Sequence, residues 1–256
     1  MHAFDWNTTM SLGFGTLARI GQLYPSGGLI DYEPQLMAPA GVQFLTTRLP
    51  FRSASLESDR RLADALEEHV QLLADAQVDL IVFNCTAASL VIGPQIINAR
   101  IHAATGIRSI TTIEAVLAAL AAVGAKRIAL VTPYMAEVVA EEVHFLTRAG
   151  YTVVAEKGRP CTNPIEQGEL DPQGWIEIAA SLNGCGADAM LLSCAGVQIA
   201  PVLPALERAF GGPVVTGNQA LVWHALRTLN IKARPSAYGA LLAGAFDHDA
   251  ALRAAG

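Results

Sequence analysis

Asp79-Leu80-Ile81-Val82-Phe83-Asn84-Cys85 and Asp188-Ala189-Met190-Leu191-Leu192-Ser193-Cys194 are one phrase written twice. Each has an acid, four apolar residues, a small polar residue and a cysteine, and they lie 109 positions apart. A second pair, Arg19-Ile20-Gly21-Gln22-Leu23-Tyr24-Pro25 and Arg127-Ile128-Ala129-Leu130-Val131-Thr132-Pro133, repeats at an offset of 108. The Arg-Ile strand therefore precedes its cysteine by the same distance in both halves, to within a single position. Two apolar strands resemble each other by chance; two matched pairs in register point to duplication. Duplicated halves are expected to face each other about a pseudo-two-fold axis.

Outward from these phrases, short apolar runs alternate with helical patterns. Strands are predicted at Ala18–Leu23, Val42–Thr47, Leu80–Phe83, Ser109–Thr111, Arg127–Val131, Thr152–Ala155, Ala189–Leu192 and Val214–Thr216. Helices are predicted at Leu56–Ala76, Ile113–Val123, Ala136–Ala149, Pro172–Leu182 and Ala220–Leu229, several ending at a glycine. Such alternation predicts an α/β fold of two lobes, each a mostly parallel sheet flanked by helices. In open α/β sheets ligands bind at the carboxyl ends of strands. Cys85 and Cys194 follow strands at that end, so the active site is expected in the cleft between the lobes.

The chain has 256 residues, 52% hydrophobic and 16% charged, with a net charge of −6. A large core can be buried, and no basic cluster marks a nucleic-acid partner. No apolar run is long enough to cross a membrane. The first residues lack a basic-then-apolar leader pattern, which predicts a cytoplasmic protein with reduced thiols. The four cysteines have no CxxC spacing and the six histidines no metal-ligand pattern, so no metal site is expected.

Cys85 sits in Asn84-Cys85-Thr86-Ala87-Ala88-Ser89, where the next helix is expected to begin. Its N–H groups and dipole are expected to lower the thiol pKa. Cys194 sits in Ser193-Cys194-Ala195-Gly196, a similar small-residue turn. A lone cysteine is more often an inert buried residue; matched positions in a duplicated unit reverse that reading. Cys161 and Cys185 lack this context and are read as inert. Two thiols on opposite sides of a carbon suit isomerisation or racemisation. One removes a proton or adds to a double bond, and the other returns a proton. The charge that develops needs preorganised donors, and Thr86, Ala87, Ala195 and Gly196 can supply them. Ser26, Gly27 and Gly28 form a nest suited to a carboxylate. Tyr134 holds the matching point of the second half, and Asn163 is a further candidate donor. Glu137, Glu141 and Glu142 read as a solvated helix face, and Leu29, Ile30, Val91 and Val197 as hosts for an apolar substituent.

With these residues in view, the sequence resembles the aspartate/glutamate racemase superfamily. More narrowly it is similar to the branch holding maleate cis–trans isomerase and arylmalonate decarboxylase. The carrying segments are Tyr24–Leu29, Asn84–Ser89, Thr105-Gly106-Ile107 with Thr111-Thr112, Val131–Tyr134, Leu191–Gly196, and Lys232–Pro235 with Tyr238-Gly239. The resemblance implies two Rossmann-like lobes, no cofactor, small carboxylate substrates and a tendency to homodimers. It implies a first lobe of residues 18–112 plus 218–256, a second lobe of 113–217, and an N-terminal extension of 1–17. Cys85 and Cys194 match the two catalytic positions. Thr86, Tyr134 and the main chain after Cys194, at Ala195 and Gly196, match the carboxylate and oxyanion pocket, and Asn163 a substrate-binding asparagine; Asn84 and Ala87 are further substrate-binding candidates. Three departures are informative. The decarboxylase carries glycine where this chain has Cys85. The isomerase has Pro-Ser-Ser-Asn where this chain has Pro25-Ser26-Gly27-Gly28, and Ala87 replaces a serine common after Cys-Thr.

The favoured expectation is a two-cysteine isomerase or racemase, with Cys85 reacting as thiolate and Cys194 keeping its proton. A malonate decarboxylase using Cys194 alone is the alternative. A non-catalytic carboxylate binder comes third, because it has no use for matched thiols.

Overall fold

The computed structural model describes residues 14–247. Most of the expected N-terminal extension and the tail from residue 248 lie outside the described residues. In chain order the first half holds β1 (Ala18–Pro25), α1 (Glu33–Met37), β2 (Val42–Leu49), α2 (Leu56–Arg61), α3 (Leu66–Asp75), β3 (Leu80–Phe83), α4 (Thr86–Ile92), α5 (Pro94–Thr105) and β4 (Ser109–Thr111). The second holds α6 (Thr112–Ala122), β5 (Arg127–Thr132), α7 (Ala136–Arg148), β6 (Thr152–Gly158), α8 (Pro164–Glu169), α9 (Pro172–Ser181) and β7 (Ala189–Leu192). It ends with α10 (Leu203–Phe210), β8 (Val214–Thr216), α11 (Gly217–Thr228) and α12 (Gly239–Leu242). The strands form two parallel sheets in the same order, β2-β1-β3-β4 and β6-β5-β7-β8.

The duplication extends to individual hydrogen bonds. The Asp79 amide donates to the Arg19 carbonyl at 2.8 Å, and the Arg19 amide donates to the Asp79 carboxylate at 2.8 Å. The Asp188 amide likewise donates to the Arg127 carbonyl at 2.7 Å, and the Arg127 amide to the Asp188 carboxylate at 2.7 Å. The acid that opens each repeated phrase therefore locks the start of the central strand pair. At the other end the Asn84 amide donates to Leu23 and the Ser193 amide to Val131, both at 2.9 Å.

The long helix expected over Leu56–Ala76 is two helices, α2 and α3, separated by a turn. The turn puts the apolar side chains of Leu62 and Ala63 into the core. It also lets α2 pack on α4 while α3 packs on α5 and β2. Gly93, at φ +98°, and Pro94 break the following helical stretch into α4 and α5.

Along β3 the side chains alternate between two cores. Ile81 and Phe83 join Leu66, Val70 and Ile101 on the outer face of the first sheet. Leu80 and Val82 face a larger core that runs without a break through α6 and β5 to β7 and α11. The lobes thus share one interior, and α6 and α11, which follow the matching strands β4 and β8, pack against each other at its centre. Among the described residues no helix is long and apolar enough to cross a membrane, and no His/Cys/Asp/Glu group could hold a metal ion.

One buried carboxyl group fastens the shared interior. Glu33 on α1 is buried, and its Oε1 accepts from the amides of Ile199 at 2.6 Å and Ala200 at 2.7 Å. Its Oε2 accepts from Asn218 Nδ2 at 2.8 Å. Burial pushes the Glu33 pKa up, against these three bonds, which favour the carboxylate. Asn218 passes the connection on. Its Nδ2 also donates to the Ala195 carbonyl at 3.1 Å, and its Oδ1 accepts from Asn84 Nδ2 at 3.0 Å. Glu33→Ala strands these donors in a dry interior and is expected to cost about 3 kcal/mol in urea unfolding, with Glu33→Gln losing less.

Candidate active site

Chain geometry brings the two cysteines together. Each central strand ends two residues before its cysteine, and the amide of the intervening residue is still tied to the neighbouring strand. Cys85 and Cys194 are therefore held on the carboxyl edges of facing sheets. Both line one partly open cavity. Tyr24, Asp59, Asn84, Tyr134 and Gln167 supply its polar atoms, and Pro25, Phe51, Met135, Val138 and Pro164 its apolar wall.

Cys194 is held on three sides. Its Sγ accepts from the Gly196 amide at 3.1 Å, and its thiol faces Gln167 Oε1 at 3.8 Å. The Tyr134 hydroxyl stands close enough to the same sulfur to favour its charged form. Burial pushes the thiol up to about 12, and the Gly196 amide and Tyr134 hydroxyl only partly oppose this. Cys194 is therefore a proton holder. Burial likewise keeps Tyr134 and Tyr24 protonated, with Cys194 adding to the effect.

Cys85 is the N-cap residue of α4, as expected. The amides of Ala88 and Ala87 donate toward its sulfur and favour the thiolate. Burial nevertheless raises the thiol well above its ordinary value, and the nearby Asp59 carboxyl adds to the rise. The expected low-pKa thiol is thus corrected. The desolvation cost of a thiolate outweighs two amides at the end of a short helix.

The expected donors divide into groups. Tyr134, Ala195 and Gly196 stand at the cavity with Cys194. Ala87 lines it too, with its amide turned to Cys85. Asn84 reaches the wall, but its side chain is fully engaged. It donates to Gln22 at 3.1 Å and to Asn218, and it accepts from Thr112 at 3.0 Å. Its part is to position the turn before Cys85. The Thr86 hydroxyl is buried without a partner and lies against Gly217, off the cavity wall.

Ser26 and Gly27 are corrected. The Ser26 amide donates to Leu49 at 2.7 Å and the Gly27 amide to Phe51 at 3.1 Å. The Ser26 hydroxyl accepts from the Phe51 amide at 2.9 Å. Ser26 and Gly27 open with Asn163 onto a separate hollow, while Gly28, the third residue of the expected nest, lines the cavity with its amide bonded to the Pro25 carbonyl at 3.0 Å. Asn163 is the N-cap of α8, its Oδ1 accepting from the Glu166 amide at 2.9 Å. Leu29, Ile30, Val91 and Val197 are not among the lining residues, and Cys161 and Cys185 lie elsewhere.

Four contributors were not singled out from sequence. Tyr24 crosses between the lobes, its hydroxyl donating to the Ala195 carbonyl at 3.2 Å and accepting from the Ile30 amide at 3.2 Å. Its ring leaves no room for a side chain at Gly28, whose Cβ would sit 2.5 Å from Tyr24 Cε1. Gln167 and Asp59 enter from the short helices α8 and α2. Asp59 is buried, and burial with the Glu137 charge raises its carboxyl to about 7. Glu142, expected on a solvated face, is fully buried beneath Ser193. Burial raises it to about 8; the Ser193 hydroxyl favours its charge, yet neither oxygen has a partner at hydrogen-bonding geometry among the described residues.

The arrangement matches known proteins along most of its length. A family model described as arylmalonate decarboxylase matches residues 20–242. The chain is 28% identical to the maleate isomerase of Geobacillus stearothermophilus over 251 residues, 89% of this chain and 98% of that one. It is 25% identical to the arylmalonate decarboxylase of Bordetella bronchiseptica over 85% of this chain and 92% of that one. Its fold superposes with a TM-score of 0.82 and 27% identity on a mutant Nocardia farcinica maleate cis–trans isomerase bearing a covalently bound succinylcysteine intermediate, covering 90% of this chain and 98% of that one.

Glu142 yields a pH signature. A carboxyl raised in the fold stabilises it fully below the unfolded value of about 4.5, and that contribution is lost as pH rises through about 8. Glu142→Gln keeps the shape without the charge. Urea midpoints are expected to show the variant more stable than the parent above pH 8, with the advantage gone near pH 5.

Proposed function

The chain belongs to the arylmalonate decarboxylase family, and on that premise we propose that it is a cofactor-independent isomerase acting on a small unsaturated dicarboxylate of the maleate type. The observation that carries this reading is the presence of two cysteines, at matched strand ends of duplicated lobes, in one cavity.

The Cys85 sulfur adds to one alkene carbon as its S–H bond breaks, and the proton passes to a basic group of the cavity, which returns it when the carbon–sulfur bond later breaks. The Cys194 thiol delivers a proton to the other carbon. The double bond becomes a single bond, which rotates. Cys194 then takes the proton back, the carbon–sulfur bond breaks, and the trans acid is released. Each step is reversed in its partner, so atoms balance over the cycle. A thiol held up to about 12 retains its proton at neutral pH and gives it only to a strong carbon base, as this sequence needs. The Tyr134 hydroxyl and the Gly196 amide face Cys194 and steady the sulfur each time it is left anionic. The succinylcysteine of the Nocardia farcinica mutant supports the same order of events here.

A second reading rests on the apolar wall of Phe51, Met135, Val138 and Pro164. It fits a disubstituted malonate that loses carbon dioxide and is protonated by Cys194. Cys85 is dispensable in that case.

Proton NMR in deuterium oxide separates the two. Incubation with maleate is expected to give fumarate, and Cys85→Ser or Cys194→Ser each to lower kcat/KM by at least about 100-fold. Loss of a 2-substituted malonate that persists in Cys85→Ser, with maleate untouched, would establish the second reading instead.

A further inference from the structure

The duplication that pairs the cysteines also pairs two side chains in the cavity. Helices α2 and α8 are each six residues long. Ser55 caps α2, accepting from the Ser58 amide, and Asn163 caps α8, accepting from the Glu166 amide. The two caps are separated by the same offset as the Arg-Ile phrases. One position past each capped amide stand Asp59 and Gln167, again at that offset, and both line the cavity. Gln167 faces Cys194, its Oε1 lying 3.8 Å from the thiol. By the same pseudo-symmetry Asp59 is the counterpart for Cys85, and α2 packs directly on α4, the helix that Cys85 caps.

The two counterparts differ in one respect that matters. An amide oxygen accepts a hydrogen bond from a thiol but cannot take its proton. A carboxylate can do both. The Asp59 carboxyl is 3% exposed and lines the cavity. A carboxyl buried to this extent is costly and calls for an explanation.

We propose that Asp59 is the proton acceptor that turns Cys85 into the nucleophile, and that the Asp59/Gln167 difference assigns the roles of the two thiols. The inference rests on reading the cavity as a two-thiol site. As the Cys85 sulfur forms its bond to carbon, the S–H bond breaks and its proton passes to the Asp59 carboxylate, giving a carboxylic acid. On elimination the thiolate recovers that proton, so the cycle closes with no further reactant. Cys194, opposite an amide, has no acceptor and remains the proton donor.

The position of Asp59 makes its charge state decisive. Its charge acts on Cys85, the cap of α4, and on Cys194 from the second lobe, and it is acted on by the Glu137 carboxylate on α7, which accepts from the Leu56 amide at 3.3 Å. A carboxyl raised to about 7 is a far better match for a proton from a buried thiol than an ordinary one. Because burial already favours its neutral form, Asp59→Asn is expected to fold.

The test uses iodoacetamide, a small uncharged alkylating agent, with peptide mass spectrometry reading each cysteine separately between about pH 5.5 and 9. In the parent protein Cys85 is expected to react at least about tenfold faster than Cys194 at neutral pH, with a rate that rises through about 7 as Asp59 ionises. Asp59→Asn is expected to abolish that rise and slow Cys85 at least about tenfold, while Asp59→Glu keeps it. Gln167→Glu is expected to confer the same rise on Cys194. An unchanged Cys85 profile in Asp59→Asn, or an unchanged Cys194 profile in Gln167→Glu, would overturn the proposal. If this pattern holds while maleate is inert, the substrate reading falls and the assignment of the thiols stands.

Discussion

The architecture depends on how a carboxylate is kept in a dry interior. Glu33 sits on a five-residue helix of the first half, yet all three of its hydrogen bonds come from the second. Asn218, one of those donors, also holds the Ala195 carbonyl next to Cys194 and receives Asn84 next to Cys85. The residues preceding one thiol and following the other are thus bound to the same amide side chain. Tyr24 adds a second tie to the Ala195 carbonyl. This network ties together the residues next to the two sulfurs, which serves catalysis by positioned groups.

Placing both thiols in an apolar cavity raises them both, and a site with two reluctant acids has no nucleophile. Duplication supplies symmetric parts, while the reaction needs asymmetric ones. The asymmetry enters through small differences at matched points. Asn84 is fully bonded, while Ser193, its counterpart in the second repeated phrase, has an unpartnered hydroxyl. Glu33 has three donors, while Glu142, separated from it by that same offset, has no hydrogen-bond partner among the described residues. Asp59 stands where the other half has Gln167.

The fold was legible because its determinants are periodic. All eight strands lie where the apolar runs placed them, and the Asp-to-Cys phrases set both cysteines at matched strand ends. The pocket chemistry was legible only where a residue adjoins those phrases, as with Ala195 and Gly196. Ser26 and Gly27 misled because a Gly-rich turn shows its amides in sequence but not the carbonyls of Leu49 and Phe51 that occupy them. Glu142 misled because three acids so close together on one helix look solvated, although one of them faces inward. Asp59 and Gln167 sit on six-residue helices with no apolar period. The signal that could have found them was the repeat offset, carried past the strands into the loops.

The uninterrupted core beneath α6 and α11 carries a consequence for how this protein came to work. Each half, cut free, would expose the apolar face it now lends to the other, so neither survives as an autonomous relic of the ancestral unit. A single half would need a second half to cover that face. Joining two halves in one chain removes any requirement that they match. Positions related by the pseudo-symmetry can then hold two residue types instead of one, and a proton can have a direction of travel.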